Sequence, residues 1–396
     1  MREKVENWLQ AKRYNWRNYD LSLVVIVLLL CLISIYTLSL VDMGESRHQM
    51  FGVVLGFILL FACSIIDYHT LCNYVPILYV IATLMAAATK FSPLGTNMQT
   101  DSYRWLDFKI VRFQPSEICK IVLILSLAVF FTKYQEKLQS YKTLFLSVAI
   151  TLPPTLFILV QSDLSSSLVL VCILIMMVLA SGIGWRIIGP VTGVIVPVCA
   201  AFFWYILQPG EKFLIKDYQI RRITGFLNPE ENALGTMYQQ NNSVLSIASG
   251  KIYGKLLVEG TETTRGYTKV DVRESDFIWS MFGEEYGFIG CLAILALFSF
   301  LIIKCFLAAK RAKDFTGMMI AIGVSALFCF QTFFNIGVAT RILPNTGLPL
   351  PFLSSGLSSM MSSMMAIGII INIGIQPARG SNGGFTIKTE DKQNVL

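Results

Sequence analysis

The run LSLVVIVLLLCLISIYTLSLV, residues 21–41, holds no Asp, Glu, Lys or Arg and is long enough to cross the hydrocarbon of a bilayer as a helix. Nine further apolar runs follow, at about 51–66, 73–89, 117–132, 143–160, 164–182, 187–207, 286–303, 316–338 and 356–375. Of the ten, only 117–132 carries those charged residues. Lipid offers no partner to an open strand edge, and the short alternating strands of a barrel are lacking, so the runs read as helices. The predicted fold class is an all-α polytopic membrane protein of about ten transmembrane helices. A large extracytoplasmic loop, 208–285, separates helices 7 and 8.

Composition points the same way. The 396 residues are 54% hydrophobic and 14% charged, with a mean hydropathy of +0.61; a soluble chain of this length needs more charge to cover its surface. The nine cysteines lie mostly in or beside apolar runs, where free thiols pack as small hydrophobes rather than forming a disulfide scaffold. No CxxC pair occurs, and two histidines, His48 and His69, cannot build a histidine-rich metal site. The net charge of +7 suits anionic lipid headgroups better than nucleic acid, because the basic residues sit beside the spans. Gly250-Lys251 and Gly254-Lys255 lack the spacing and the Ser/Thr of a phosphate loop, which argues against ATP hydrolysis by this chain.

Short basic loops set the orientation. Arg2, Lys4, Lys12, Arg13 and Arg17 precede span 1, Lys133, Lys137 and Lys142 separate spans 4 and 5, Arg186 separates spans 6 and 7, and Lys304, Lys310, Arg311 and Lys313 separate spans 8 and 9. An even span count puts all of them on one side, the cytoplasm. Both termini are then cytoplasmic: an N-terminal segment 1–20, a membrane domain 21–375 and a tail 376–396. Residues 1–20 are polar and the next run is too long for a cleavable signal. Loops 42–50, 90–116, 161–163, 208–285 and 339–355 face outward, and 67–72 is an inward turn. Loop 90–116 carries Lys90, Arg104, Lys109 and Arg112 against the charge rule, a reason to assign those residues an anion.

Three polar groups of residues are candidates for chemistry, all at the outer face. In the first, Gln114-Pro115-Ser116-Glu117 opens span 4, and Glu117 and Lys120 share one helix face. Such an ion pair is either structural glue or part of a site. The second lies in the long polar stretch 210–276, where Lys212, Lys216, Arg221 and Arg222 alternate with Phe213, Tyr218, Phe226 and Leu227. That pattern suits a segment gripping phosphate in the headgroup plane, or a simple interfacial anchor. This stretch ends at Asp276, and Phe277-Ile278-Trp279 is expected to seat that carboxylate at the interface; Glu274, Glu284 and Glu285 are rivals. The third spans Gln331, Asn335, Arg341, Pro344, Thr346, Gly347, Pro351 and Ser354 to Ser359, an irregular backbone that needs shelter. On these residues alone, a transporter and an enzyme remain close.

Together, Arg104-Trp105, FQPSE with Lys120 at 113–120, Asp276-Phe277-Ile278, Gly283-Glu284-Glu285, Asn335-Ile336-Gly337 and Leu343-Pro344 through Pro349-Leu350-Pro351-Phe352 resemble the SEDS family, over roughly residues 20–376. The resemblance implies a bacterial cytoplasmic-membrane peptidoglycan glycosyltransferase that polymerises lipid II and releases polyprenyl diphosphate. It works beside a class B penicillin-binding transpeptidase, within an elongation or division complex. It implies Asp276 as the catalytic residue, Arg104, Arg221, Arg222 and Lys216 as binding groups, and Glu117, Lys120, Gln114, Asn335 and Ser355 in support. No cofactor is required, and a divalent cation, Mg or Mn, is admissible. A lipid II flippase or a non-catalytic scaffold for the transpeptidase are the alternatives. The chain departs from the family pattern at Arg341 and Lys251, where the family more often has Gly, and around Gln161-Ser162-Asp163.

Overall fold

An aspartate just ahead of an apolar run recurs along this chain. Asp20, Asp42, Asp163 and Asp314 each accept a backbone N–H of the helix they open, satisfying a donor that the first turn leaves free. The computed structural model describes residues 14–93, 95–96, 103–107, 112–208, 217–229, 235, 237–256 and 265–376, without the side chains of 202, 203, 206, 207, 217–219 and 221. Its helices run in the order α1 Leu21–Ser39, α2 Met43–Ile65, α3 Tyr68–Asn73, α4 Val75–Phe91, α5 Pro115–Lys133, α6 Tyr141–Val160, α7 Leu164–Ala180 and α8 Trp185–Leu207. Then come α9 Asp217–Leu227, α10 Tyr238–Ser249, α11 Ile278–Arg311, α12 Phe315–Ala339 and α13 Leu357–Ile375.

Among the described residues, seven helices (α1, α2, α5, α6, α11, α12 and α13) are long and apolar enough to cross a membrane. Val75–Phe91, Leu164–Ala180 and Trp185–Ala201 are shorter apolar helices. The chain is thus an all-α polytopic membrane protein. Burial sorts the spans. The apolar windows of α5, α12 and α13 are 83%, 78% and 83% buried, against 39%, 33%, 39% and 28% for α1, α2, α6 and α11. The first three form the centre of the bundle, while the others turn side chains such as Leu32, Ile58, Phe145 and Phe300 outward, where lipid covers them.

Helix α2 packs closely against α13 through glycines on both helices. Gly52 and Gly56 lie under Leu357, Met360 and Met364, and Gly368 lies against the carbonyl of Leu60. Small residues let helix backbones meet where no water drives them together.

Three short strands interrupt the helices: β1 Gly95–Thr96, β2 Trp105–Asp107 and β3 Arg112–Phe113, in the order β1-β2-β3. They are antiparallel, with Thr96 opposite Trp105 and Leu106 opposite Phe113. Leu106 is buried beneath them, which fixes the segment that bears Arg104.

Several expectations need correction. Residues 42–50 are not a loop: α2 begins at Met43, because Asp42 caps it and a helix can continue past the hydrocarbon edge. The turn 67–72 contains α3, capped by Asp67. Region 208–285 contains α9, α10, a 3-10 turn at Gly266–Lys269 and the start of α11. Phe277, Ile278 and Trp279 are 1%, 0% and 3% exposed, so they anchor in the protein core and do not face the interface.

Two buried carboxylates hold the polar region to α11. Glu284 accepts from Lys255 Nζ, from Ser246 Oγ at 2.5 Å, and from the N–H groups of Gly266 and Tyr267 at 2.7 and 2.9 Å. Glu285 accepts from Arg265 Nε at 2.8 Å and Tyr267 Oη at 2.9 Å. Glu284 is engaged at both oxygens, whereas Glu285 is held through Oε1 alone and its Oε2 has no hydrogen-bond partner among the described residues. Both are tied into buried ion pairs that brace the fold, which sets them apart from Asp276. Just beyond them, Gly287 takes φ +66° and ψ −165° and breaks the helix. A side chain there would strain the backbone and would also meet Ile252 and Gly254.

Gly368→Ala should lower the thermal midpoint in detergent by a shift corresponding to about 1–3 kcal/mol, since the methyl meets a backbone carbonyl. Gly193→Ala in α8, where nothing lies within 4 Å, should leave the midpoint unchanged or raise it. Equal shifts for the two variants would overturn this account of the α2–α13 contact.

Candidate functional site

The segment between α12 and α13 is irregular, and its carbonyls are satisfied by side chains from elsewhere. Asn335 Nδ2 donates to the carbonyl of Leu348 at 2.7 Å and to that of Asp276 at 2.9 Å. Gln240 Nε2 donates to the carbonyls of Val338 and Leu343, each at 2.8 Å, and Ser243 Oγ to Ala339 at 2.8 Å. Helix α10 thereby caps the end of α12. Ser354 Oγ donates to the carbonyl of Ser275 at 2.5 Å, and the Ser355 N–H to that of Glu274 at 2.8 Å. Residues 274–276 are therefore tied along their backbone to α12 and to the approach to α13.

That backbone aims Asp276 at a turn. Gly347 has φ +74°, and a Cβ built on it would stand 3.0 Å from Asp276 Oδ2 and 3.4 Å from Arg104 Nη1. The bare Cα lets the carboxylate and the guanidinium share one recess. Arg104 Nη2 donates to the carbonyl of Ser162 at 3.0 Å, and Arg222 Nη1 to that of Asn345 at 3.3 Å. Ser165 Oγ donates to the carbonyl of Thr346, holding the turn from α7. Arg104 Nε and Thr346 Oγ1 are buried and have no hydrogen-bond partner among the described residues. Orphaned polar atoms cost stability, and a cluster of them marks a place built for a ligand.

Protein groups surround Asp276 densely, though part of its surface stays open. Burial pushes its pKa up; Arg104, a hydrogen bond from Ser275 and Arg222 pull back, while Asp163 adds to the rise. The recess therefore offers a carboxylate of raised basicity beside two guanidinium groups. That is the equipment for taking a proton while holding an anion.

The candidates separate as follows. Asp276, Arg104, Arg222 and Asn335 come together. Lys216 and the side chain of Arg221 lie outside the described residues. Glu117 and Lys120 form a 2.8 Å ion pair, 2% and 1% exposed, and Ser362 Oγ donates to Glu117 at 3.1 Å. They fasten α5 to α13, and the Gln114 N–H does likewise through Ser358 Oγ at 3.0 Å. Ser355 Oγ turns to Glu45 at 2.8 Å. Asp163 was not among the expected site residues. It caps α7 through the Ser166 N–H and Oγ at 3.1 and 2.8 Å, and its charge reaches Asp276. Its sequence signals were an acid ahead of an apolar run and its place in the 161–163 stretch compared with the family pattern.

Comparison with known proteins shows the family and the fold. A family model for FtsW, RodA and SpoVE, described as cell cycle protein, matches residues 18–378. The peptidoglycan glycosyltransferase MrdB of Escherichia coli K12 is 31% identical over 91% of this chain and 95% of its own length. A probable peptidoglycan glycosyltransferase FtsW of Geobacter metallireducens is 33% identical over 90% and 94%. Stage V sporulation protein E of Bacillus subtilis is 30% identical over 89% and 96%. In fold, a chain from a peptidoglycan synthase complex that coordinates polymerization and crosslinking aligns with a TM-score of 0.74 at 24% identity, over 90% of this chain and 97% of that one. Thermus thermophilus RodA aligns at 0.65 and 23% identity, over 91% and 98%.

An acid whose pKa is raised by folding binds its proton more tightly in the native state. Its stabilising contribution is whole below the ordinary carboxylate range and is lost as pH rises through the raised value. Asp276→Asn should therefore raise the thermal midpoint at pH 7–8, with the gap closing as pH falls toward 4. A variant that melts below the wild type at pH 7 would contradict the burial of an ionised carboxylate here.

Proposed function

The chain belongs to the FtsW, RodA and SpoVE family, and from that premise we propose how its residues carry out the reaction. It is a peptidoglycan glycosyltransferase that polymerises lipid II into glycan strands, with polyprenyl diphosphate as leaving group and a class B transpeptidase as partner. The observation that carries the site assignment is the meeting of Asp276 with Arg104 and Arg222 around the Gly347 turn.

In this reading the donor is the growing glycan, joined at its anomeric carbon to polyprenyl diphosphate. A sugar hydroxyl of lipid II attacks that carbon from the opposite face, so the configuration inverts. Asp276 takes the hydroxyl proton as the new carbon–oxygen bond forms. The bond from the anomeric carbon to the diphosphate oxygen breaks, and its electron pair leaves with the diphosphate. Arg104, whose Nε has no partner among the described residues, and Arg222 meet that growing charge, with Arg221 and Lys216 assigned to the same phosphates. Among the described residues, Asp276 and Asp163 are the carboxylates brought together at this recess, and Asp163 accepts from Ser166. Charge neutralisation at the diphosphate is assigned here to the arginines.

The orientation that goes with this reading has ten spans, both termini in the cytoplasm and Asp276 at the outer rim. The positive ends of the helix hairpins support it, because Lys133, Lys137 and Lys142, Arg186, and Lys304 to Lys313 then lie together inside.

Asp276→Asn should remain folded in the membrane and lose about 100- to 10,000-fold or more of glycan polymerisation from purified lipid II, the contribution of a general base. Near-normal polymerisation by a folded D276N protein would end the assignment. The wild-type rate should fall as pH drops through the raised pKa of Asp276, at a higher pH than an ordinary carboxylate gives. Arg222→Ala should weaken lipid II binding by about tenfold or more, and unchanged binding in a direct titration would remove that contact.

A further inference from the structure

At the end of the bundle opposite Asp276, a cavity of about 540 Å³ opens between the approach to α1, the end of α11 and α13. Arg17, Lys304, Lys310, Arg311 and Lys313 line it, with Asp20 as the one acid. Asp20 is already committed, to Lys304 at 3.1 Å and to Ser22. Among the described residues, the other four cations form no ion pair with a carboxylate. Leu23, Ile370 and Ile371 give the cavity an apolar wall.

The site is held in place from several sides. Arg17 lies in a 3-10 turn, Trp16–Asn18, and the Asn15 N–H donates to the carbonyl of Ile375 at 2.9 Å, pinning that turn to the end of α13. Lys304 and the Asp20 that precedes α1 bind the two opposing walls. Basic residues beside spans serve orientation in many membrane proteins, and that requirement places charge in a loop. It does not call for a cavity of ligand size between three segments with an apolar side.

We propose that this cavity binds the phosphate-bearing headgroup of an anionic phospholipid, whose acyl chains lie along the apolar wall of α1 and α13. The chemistry is that of a basic pocket between span ends: charge-assisted bonds to phosphate oxygens, next to hydrocarbon. None of these residues takes part in the reaction at Asp276, so binding here is separate from that assignment.

Native mass spectrometry of the full chain in neutral detergent tests it, with phosphatidylglycerol, phosphatidylcholine and inorganic phosphate as three separate titrants. Phosphatidylglycerol should bind about tenfold or more tightly than phosphatidylcholine, and millimolar phosphate should compete with it. The triple variant Lys310→Gln, Arg311→Gln, Lys313→Gln should lose about tenfold in that affinity. A control with the same charge change, Lys133→Gln, Lys137→Gln, Lys142→Gln, should keep it. Because losing charge can disturb membrane insertion, Gly374→Leu provides a second test: a Cβ there meets only the carbonyl of Asn18 at 3.6 Å, and the side chain fills the cavity with every charge intact. It too should weaken phosphatidylglycerol binding. Equal binding of the two lipids, equal loss in both triple variants, or full binding by Gly374→Leu would overturn the proposal. Phosphate binding as tightly as the lipid would overturn the lipid assignment. The readout needs no turnover, so its failure would leave the Asp276 mechanism standing.

Discussion

Irregular backbone at the rim of a membrane must find its hydrogen-bond partners inside the protein, and here one amide side chain meets much of that demand. Asn335 donates to the carbonyls of both Leu348 and Asp276, so the turn that bears Gly347 and the strand of chain that bears the carboxylate are held to the same point on α12. Gln240 and Ser243 complete the end of that helix. Without these donors, several buried carbonyls would lose their partners, each at about 1–3 kcal/mol. The recess would also lose its shape.

The same logic explains why the most polar part of the chain is not a loose loop. Glu284 and Glu285 sit at 0% and 1% exposure, a position tolerable for carboxylates only because Lys255, Arg265, Ser246, Tyr267 and two main-chain N–H groups converge on them. Asp276 is treated differently. Its neighbours are charges of both signs, and burial outweighs the arginines. Glu284 is satisfied at both oxygens and Glu285 at one; Asp276 is the acid to which we assign the chemistry. Lys251 and Arg341, where the family resemblance leads one to expect Gly, have φ of +52° and +59°. Their backbones keep the left-handed conformation despite the side chains, and Arg341 offsets part of that strain through a 3.0 Å bond to Asn241.

The membrane architecture was legible in the sequence because an apolar run of span length has few other uses. The span starts were legible as the edges of such runs, while the capping by Asp20 and Asp314 came from the structure. Asp276 and Arg104 were legible through motifs of the family resemblance and Arg222 through the basic run at 212–222, since nothing in their spacing along the chain brings residues 104, 222 and 276 together. The role of α10 as a brace was hidden, because its polar residues find partners about a hundred positions away. Phe277-Ile278-Trp279 misled for a related reason. Hydrophobicity says that a residue avoids water, but not whether lipid or protein covers it.

The tether between Asn335 and the Asp276 carbonyl has a mechanical consequence. Helix α12 is a central span, and the main chain of the proposed catalytic carboxylate is fixed to it directly rather than through a pliant linker. If a thinner or thicker bilayer makes α12 tilt or slide, the carboxylate moves with it. A displacement of about 1 Å at a reacting centre can cost on the order of 100-fold in rate. Membrane thickness thereby enters the rate equation as a physical variable, alongside substrate concentration and acidity.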